Sequence, residues 1–338
     1  MGRACFFLFL LISTALSAQD NLVSGLDRER MRSMLKVVAG DIEKNYYDPA
    51  LHGLDWKALT AQAEQRINQA KTPSEMITAI FLLVDKLKDS HTFFLPPSRV
   101  NRPLFGLNAK MFGDEARIYD LKPKGAAAAA GLQMGDRILE INGYRPQRKD
   151  FDNAMLYYRI LHPLPKWKIT YARGASPPQT VVVEAKIKTG TRALDLTSEE
   201  NIERYLTENF GESEKYFSSM LEDDIGYLQV PSFSGETVLL GNLQKPKAVI
   251  LDLRGNPGGS TDALAEFAGH FEPQPVTMAD MVGRKKREPI KVKSRGPNYS
   301  VPLVILVDSR SSSAAEIFAR HFQRTGRATV VGDRSSGK

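Results

Sequence analysis

The sequence predicts an α/β protein whose core holds a mostly parallel sheet, preceded by an amino-terminal helical region and a compact β-rich domain. Three observations predict it. Ala248–Leu253 and Leu303–Val307 are apolar runs of strand length. Each leads through a turn into a helical pattern, as parallel strands covered on both faces require. Between about Leu104 and Lys188, short strand patterns are broken by Gly and Asn-Gly turn signals. From Leu26 to about Leu87, apolar residues recur at three- and four-residue spacing, the mark of amphipathic helices. A length of 338 residues suits two domains and a helical extension. The expected boundaries are 1–18 for a leader, 19–97 for the helices, 98–190 for the β-rich domain and 191–338 for the α/β core.

The first element is a secretory signal. Arg3 precedes the apolar run Ala4–Leu16, and the small residues Ser17 and Ala18 stand before the polar Gln19-Asp20-Asn21. Thirteen apolar residues are too few for a bilayer core of roughly 30 Å, which takes about 20 in a helix. An exported protein, periplasmic or extracellular and without a stable membrane span, is therefore expected. The single cysteine, Cys5, lies inside the leader, so the mature chain is expected to have no disulfide, no catalytic thiol and no cysteine-bound metal.

Helices are predicted over Leu26–Lys44 and Trp56–Ala70. A third opens at Thr72-Pro73-Ser74-Glu75, with Thr72 as N-cap and Pro73 at the first helical position, and ends near Asp89. Pro96-Pro97 and Pro103 mark a linker. In the β-rich domain a small-residue run, Gly125–Ala130, leads to a glycine turn. The strand holding Ile138, Leu139 and Ile141 comes next, closed by the hairpin signal Asn142-Gly143. A polar stretch, Glu199–Leu221, reads as helical. Beyond it come strands at Ile225–Val230, Ala248–Leu253, Leu303–Val307 and Ala328–Val331, and helices at Thr261–His270 and Ala314–Gln323.

The formal charge is +7, and the pI is near 9.3. No zinc-ligand spacing, helix-turn-helix pattern or aromatic-interleaved basic stripe accompanies that excess, so nucleic acid is not an expected partner. The basic run Gly283–Arg295 carries Val282, Ile290 and Val292 in strand-like positions and reads as a solvated hairpin. His52, His162, His270 and His321 share no metal-ligand spacing. Neither a metal nor a cofactor is expected.

Chemistry gathers in turns at strand ends. Asp252-Leu253-Arg254-Gly255-Asn256-Pro257-Gly258-Gly259 follows one buried strand, where paired glycines let backbone N–H groups approach a developing negative charge. Asp308-Ser309-Arg310-Ser311-Ser312-Ser313-Ala314 joins the next strand to a helix whose N-terminus favours such charge. Gly332–Lys338 holds a lysine 25 residues after Ser313, which desolvation could turn into a base. Ser90-His91 ends the helical region about 220 residues before Ser313, and an imidazole needs less adjustment than an amine to act near neutrality.

In this order the turns resemble those of the C-terminal processing (tail-specific) serine peptidases. Leu251–Gly259 is similar to their "LDLR.NPGG" strand and bend, Ser311–Glu316 to their "SASASE" motif, and Lys338 to the lysine of "FGK". The resemblance implies a crotonase-like, tail-specific protease core in which Ser313 is the nucleophile and Lys338 the base. Gly258 or Gly259, with the Ala314 amide, would then hold the oxyanion. Ser90-His91 resembles a pair in the tricorn-core relatives, where histidine is the base, and His91 stays open as the alternative. Gly131–Gly143 closely resembles the "GL..GD.I..ING" region of PDZ domains. Under that likeness Phe105-Gly106-Leu107 would receive a ligand's terminal carboxylate. The implied function is a secreted endopeptidase for protein or peptide substrates recognised by their C-terminal tails, acting through an acyl-enzyme. Ser336 departs from the aromatic expected before Gly-Lys, and the glutamine expected four residues beyond the lysine lies past Lys338, so a sequence cut short is expected. The competing reading is a non-catalytic tail-binding protein with a degenerate core. A generic α/β hydrolase is disfavoured because no Gly-x-Ser-x-Gly elbow surrounds these serines.

Overall fold

The computed structural model describes residues 23–96, 101–189, 216–233 and 243–337. The leader and Lys338 lie outside the described residues, as does most of the Glu199–Leu221 stretch.

Three helices open the chain: α1 Gly25–Asn45, α2 Trp56–Gln69 and α3 Pro73–Val84. Each starts at a polar cap. Ser24 accepts from the Asp27 N–H, Asp55 from Ala58, and Thr72 from Glu75. Their inner faces bury Leu35, Trp56, Ile67, Met76 and Ile80 together. Trp56 keeps its indole N–H satisfied on the Ala39 carbonyl at 3.1 Å. After α3 a 3-10 turn carries the chain to Leu87, which is buried, and Lys88 ends it in the left-handed region at φ +50°.

The β-rich domain is a five-stranded antiparallel sheet. Strand β1, Asn101–Leu104, precedes it, and the sheet runs in order through β2 Leu107–Phe112, β3 Glu115–Leu121, β4 Arg137–Ile141, β5 Lys166–Ala172 and β6 Gln179–Glu184. Strand β7, Lys186–Thr189, pairs back on β1 and closes the domain at its two ends. Two short helices, α4 Ala126–Ala129 and α5 Phe151–Leu156, complete it. Asn142 and Gly143 both take positive φ, +50° and +87°, as a primed hairpin turn demands. Trp167 is the buried centre, with Phe105 stacked on it at 3.9 Å.

The core sheet has the order β14-β13-β10-β9-β8, with β8 Phe217–Met220, β9 Ile225–Gln229, β10 Ala248–Asp252, β13 Leu303–Val307 and β14 Ala328–Gly332. Strands β9, β10, β13 and β14 are parallel, and β8 runs antiparallel on the edge. Phe217–Met220 is thus strand where the sequence reads as helix. Pairing with β9 along its whole length outweighs the local pattern. Helix α6 Thr261–Ala268, the turn that follows it and helix α7 Ala314–Arg324 pack Phe267, Phe271, Phe318 and Phe322 into one aromatic cluster. The antiparallel hairpin of β11 Val276–Val282 and β12 Arg287–Val292 stands beside the main sheet. It carries the basic run as expected, but its tip is not simply solvated. Arg284 donates to the carbonyls of Glu43 and Tyr46 at the end of α1.

Candidate active site

Strands β10 and β13 are parallel neighbours, so the turns leaving their carboxyl ends must lie side by side. Crevices at such strand ends are where open α/β sheets place ligands. Here the two turns are laced together. Gly255 N–H donates to Asp308 Oδ1 at 2.9 Å, Ser312 N–H to the Asn256 carbonyl at 2.9 Å, and Ser311 Oγ to the Leu253 carbonyl at 2.7 Å. Asn256 is fully buried. It donates from Nδ2 to the Val230 carbonyl and accepts the Gly258 N–H on Oδ1 at 2.7 Å.

The serines of the second turn are divided among separate tasks. Ser309 bonds the Met111 carbonyl at 2.5 Å, and Ser311 is buried on Leu253. Ser313 is left at the start of α7 with φ +53° and ψ −119°, a conformation that costs a non-glycine residue about 1–3 kcal/mol. Such strain persists only where the surroundings impose it. Its N–H is tied to Glu316 Oε2 at 2.9 Å. Room for it comes from a different chain segment: a Cβ on Gly258 would stand 2.7 Å from the Ser313 Cβ. A glycine of the neighbouring bend, rather than one of its own turn, thus leaves the space beside this serine open.

Ser313 Oγ lies 2.9 Å from His91 Nε2, and the other ring nitrogen, Nδ1, lies 3.1 Å from Ser90 Oγ. Hydroxyl and imidazole are 222 residues apart in sequence. Of the two bases read from the sequence, His91 is the one the described residues place against Ser313. The segment leading to Lys338 is tied to the same helix end. Ser335 Oγ and Gly337 N–H both donate to Glu316 Oε1, at 2.6 and 2.7 Å.

Of the candidate oxyanion donors, Gly258 spends its N–H on Asn256, so it is withdrawn from that role. Among the described residues, the Gly259 and Ala314 N–H groups have no hydrogen-bond partner. Gly259 is held by a bridge to Phe233, and any side chain there would meet the Phe233 carbonyl at 2.3 Å.

The candidate carboxylate loop is built mostly as structure. Phe105 and Leu107 are core side chains, while the Phe105 and Gly106 carbonyls accept from Ala127 and Lys122. Gly106, at φ +72°, has Gly125 against it, where a Cβ would stand 3.1 Å from the Gly125 Cα. Side-chain recognition is therefore unavailable at Phe105 and Leu107, and a ligand could meet only main-chain groups there.

The β2–β3 hairpin is docked on the turn that carries Ser313, an arrangement the sequence did not reveal. Lys110 Nζ meets Asp308 Oδ2 at 2.5 Å, with both side chains largely buried. Arg310 donates to the Tyr119 hydroxyl at 2.9 Å, and Arg148 pairs with Asp333 at 2.5 Å. Burial alone would raise the Asp308 pKa, but Lys110 and the Gly255 and Arg310 N–H groups outweigh it and hold the carboxyl below its usual range. Asp333 is likewise held low against burial, by the N–H groups of Gly113 and Arg334 and by Arg148.

Residues 224–338 match the model of Peptidase family S41, residues 27–83 that of the Tricorn protease C1 domain and residues 117–153 that of the PDZ domain. The chain is 29% identical over 245 residues to the carboxy-terminal processing protease CtpB of Bacillus subtilis, a match covering 69% of this chain and 46% of that protein. It is 25% identical over 348 residues to the carboxyl-terminal-processing protease of Synechocystis, covering 98% of this chain and 76% of the relative. The chain thus spans about half the length of the Bacillus relative. Among solved structures, mature CPAF superposes with a TM-score of 0.65 at 14% identity, covering 92% of this chain and 84% of that one. The photosystem II D1 C-terminal processing protease gives 0.51 at 16% identity, covering 94% and 83%.

Proposed function

We propose that this chain is a serine endopeptidase acting on protein substrates with free C-terminal tails, a reading supported by the match of residues 224–338 to Peptidase family S41, the match of residues 117–153 to the PDZ domain and the similarity to carboxyl-terminal processing proteases. One observation carries this reading: Ser313 Oγ sits 2.9 Å from His91 Nε2, beside the bend that holds the Gly259 N–H. His91 is the general base in this reading. With Nδ1 protonated and donating to Ser90 Oγ, Nε2 offers its lone pair to the Ser313 hydroxyl.

The reaction then runs in two balanced steps. Ser313 Oγ adds to the peptide carbonyl carbon as its proton passes to His91 Nε2. The Gly259 and Ala314 N–H groups stabilise the oxyanion. The C–N bond breaks, the leaving amine takes the proton from His91, and Ser313 is left acylated. Water adds to the ester carbonyl as its proton passes to His91, the C–O bond to Ser313 breaks, the new carboxyl terminus leaves, and the proton returns to Ser313 Oγ. The PDZ domain would add the substrate's extended tail to a sheet edge and take its terminal carboxylate on main-chain N–H groups near Gly106. Export follows from the leader.

The test is steady-state hydrolysis of a fluorogenic peptide with a free carboxyl terminus, set against the same peptide amidated. Ser313→Ala and His91→Ala should each lower kcat by about 10³-fold or more. Amidation should raise KM. Hydrolysis by Ser313→Ala at the parent rate would refute the peptidase reading, whereas His91→Ala at the parent rate would refute only the choice of base.

A further inference from the structure

Residues 88–92, which carry His91, form a bend between the buried Leu87 and Pro96, with Lys88, Ser90 and His91 exposed and Asp89 and Thr92 half-buried. Packing therefore fixes the two ends of the segment but not its middle. Among the described hydrogen bonds, the imidazole touches only Ser90 and Ser313. The backbone is held from one point. Asp89 Oδ1 accepts the His91 N–H at 2.9 Å, Asp89 Oδ2 accepts the Thr92 hydroxyl at 2.8 Å, and the Asp89 carbonyl accepts the Thr92 N–H at 3.3 Å. Another element faces the same carboxylate: the Tyr46 hydroxyl, 3.4 Å from His52 Nε2, lies near enough to Asp89 for each to shift the other's pKa. Tyr46 is buried in the helical core and is pinned at its carbonyl by Arg284 from the β11–β12 hairpin.

We propose that Asp89 is the positioning residue of the base, holding the His91 main chain at the one placement from which Nε2 reaches Ser313, with Tyr46 as its anchor. The proposal rests on the reading of His91 as base. Asp89 is not a third triad member, because the ring nitrogen facing away from Ser313 is met by Ser90. It acts through the backbone. Burial would raise the Asp89 pKa, but the bonds from His91 and Thr92 and the nearby Tyr46 hydroxyl outweigh that and hold the carboxyl below its usual range, in its ionised, acceptor-only form.

The experiment is full-chain kinetics on the same fluorogenic peptide for Asp89→Ala, Asp89→Asn, Tyr46→Phe and the double variant Asp89→Ala/His91→Ala, with melting temperatures measured alongside. Asp89→Ala should lower kcat about 10- to 100-fold, the scale of a misplacement near 1 Å, and leave KM within about twofold. Asp89→Asn keeps one acceptor for the His91 N–H and should recover part of the loss, while Tyr46→Phe should show a smaller fall in kcat. In the His91→Ala background, Asp89→Ala should cost nothing further. Parent kcat in Asp89→Ala, an undiminished second loss on top of His91→Ala, or a fall that follows a lowered melting temperature and disappears on cooling would each overturn the proposal. Parent rates in His91→Ala would remove the base assignment and this proposal together. Loss in His91→Ala alone would remove only this proposal.

Discussion

Asn256 shows how one buried side chain can fix two functional turns. Its amide gives a donor to Val230 and an acceptor to Gly258, and its own carbonyl takes the Ser312 N–H. Asn256→Asp would set an acceptor-only group against the Val230 carbonyl, so unfolding by urea should show a loss of about 1–3 kcal/mol. An unchanged midpoint would contradict the described bonds. Gly258→Ala tests the other side of the same bend. At φ +103°, its new Cβ would stand 2.7 Å from the Ser313 Cβ, and kcat should collapse. Full activity in that variant would show that the bend does not press on Ser313. At this scale much was legible in the sequence. Ser313, the glycine pair and His91 were all candidates, because each belongs to a motif with a chemical reason for its residue types. What motifs could not reveal was which groups meet. The 222 residues between His91 and Ser313 carry no distance, and only the closed fold brings them within bonding reach.

Among the elements, α7 depends most on its first turn. Glu316 accepts from the Ser313 N–H near the helix N-terminus and also holds Ser335 and Gly337. Glu316→Ala should cost about 0.5–2 kcal/mol through the lost cap. It should also speed limited tryptic cleavage at Arg334, since two of the bonds holding the following residues disappear. Equal cleavage rates in parent and variant would count against this tie. The parallel strands and the three amino-terminal helices were readable from apolar runs, periodicity and caps. Thr72, for instance, caps α3 as its sequence context demands. Strand β8 was not readable, because Phe217-Ser218-Ser219-Met220 owes its state to β9 rather than to its own pattern. Arg284 was misjudged for a related reason: the partners it finds on α1 are 238 and 241 residues away.

Across the whole molecule, the PDZ domain and the peptidase core are coupled by charge. Lys110–Asp308 and Arg148–Asp333 are the less exposed links, while the exposed Arg334–Asp114 pair is screened and contributes little. Asp308→Asn strands the Lys110 ammonium in a largely buried place and should cost up to about 3–5 kcal/mol, read from a urea melt. Acid should act on the same links. Both carboxyls have folded pKa values below the ordinary value near 3.9, so the unfolded chain binds more protons as the solution is acidified. Their stabilisation is complete above about pH 4 and is lost as the pH falls through the folded values. Urea midpoints measured from pH 6 to pH 3 should therefore fall less steeply in Asp308→Asn than in the parent. Parallel slopes would show that this carboxyl contributes nothing to the acid response.

The Ser313–His91 contact has a consequence for the chain while it is still being assembled. Hydroxyl and imidazole reside on separately cored bodies, with the PDZ domain threaded between them in sequence. A polypeptide in which only one of these bodies has condensed does not yet bring the Ser313 hydroxyl against the His91 imidazole. Under the peptidase reading, cutting therefore waits on completed tertiary structure.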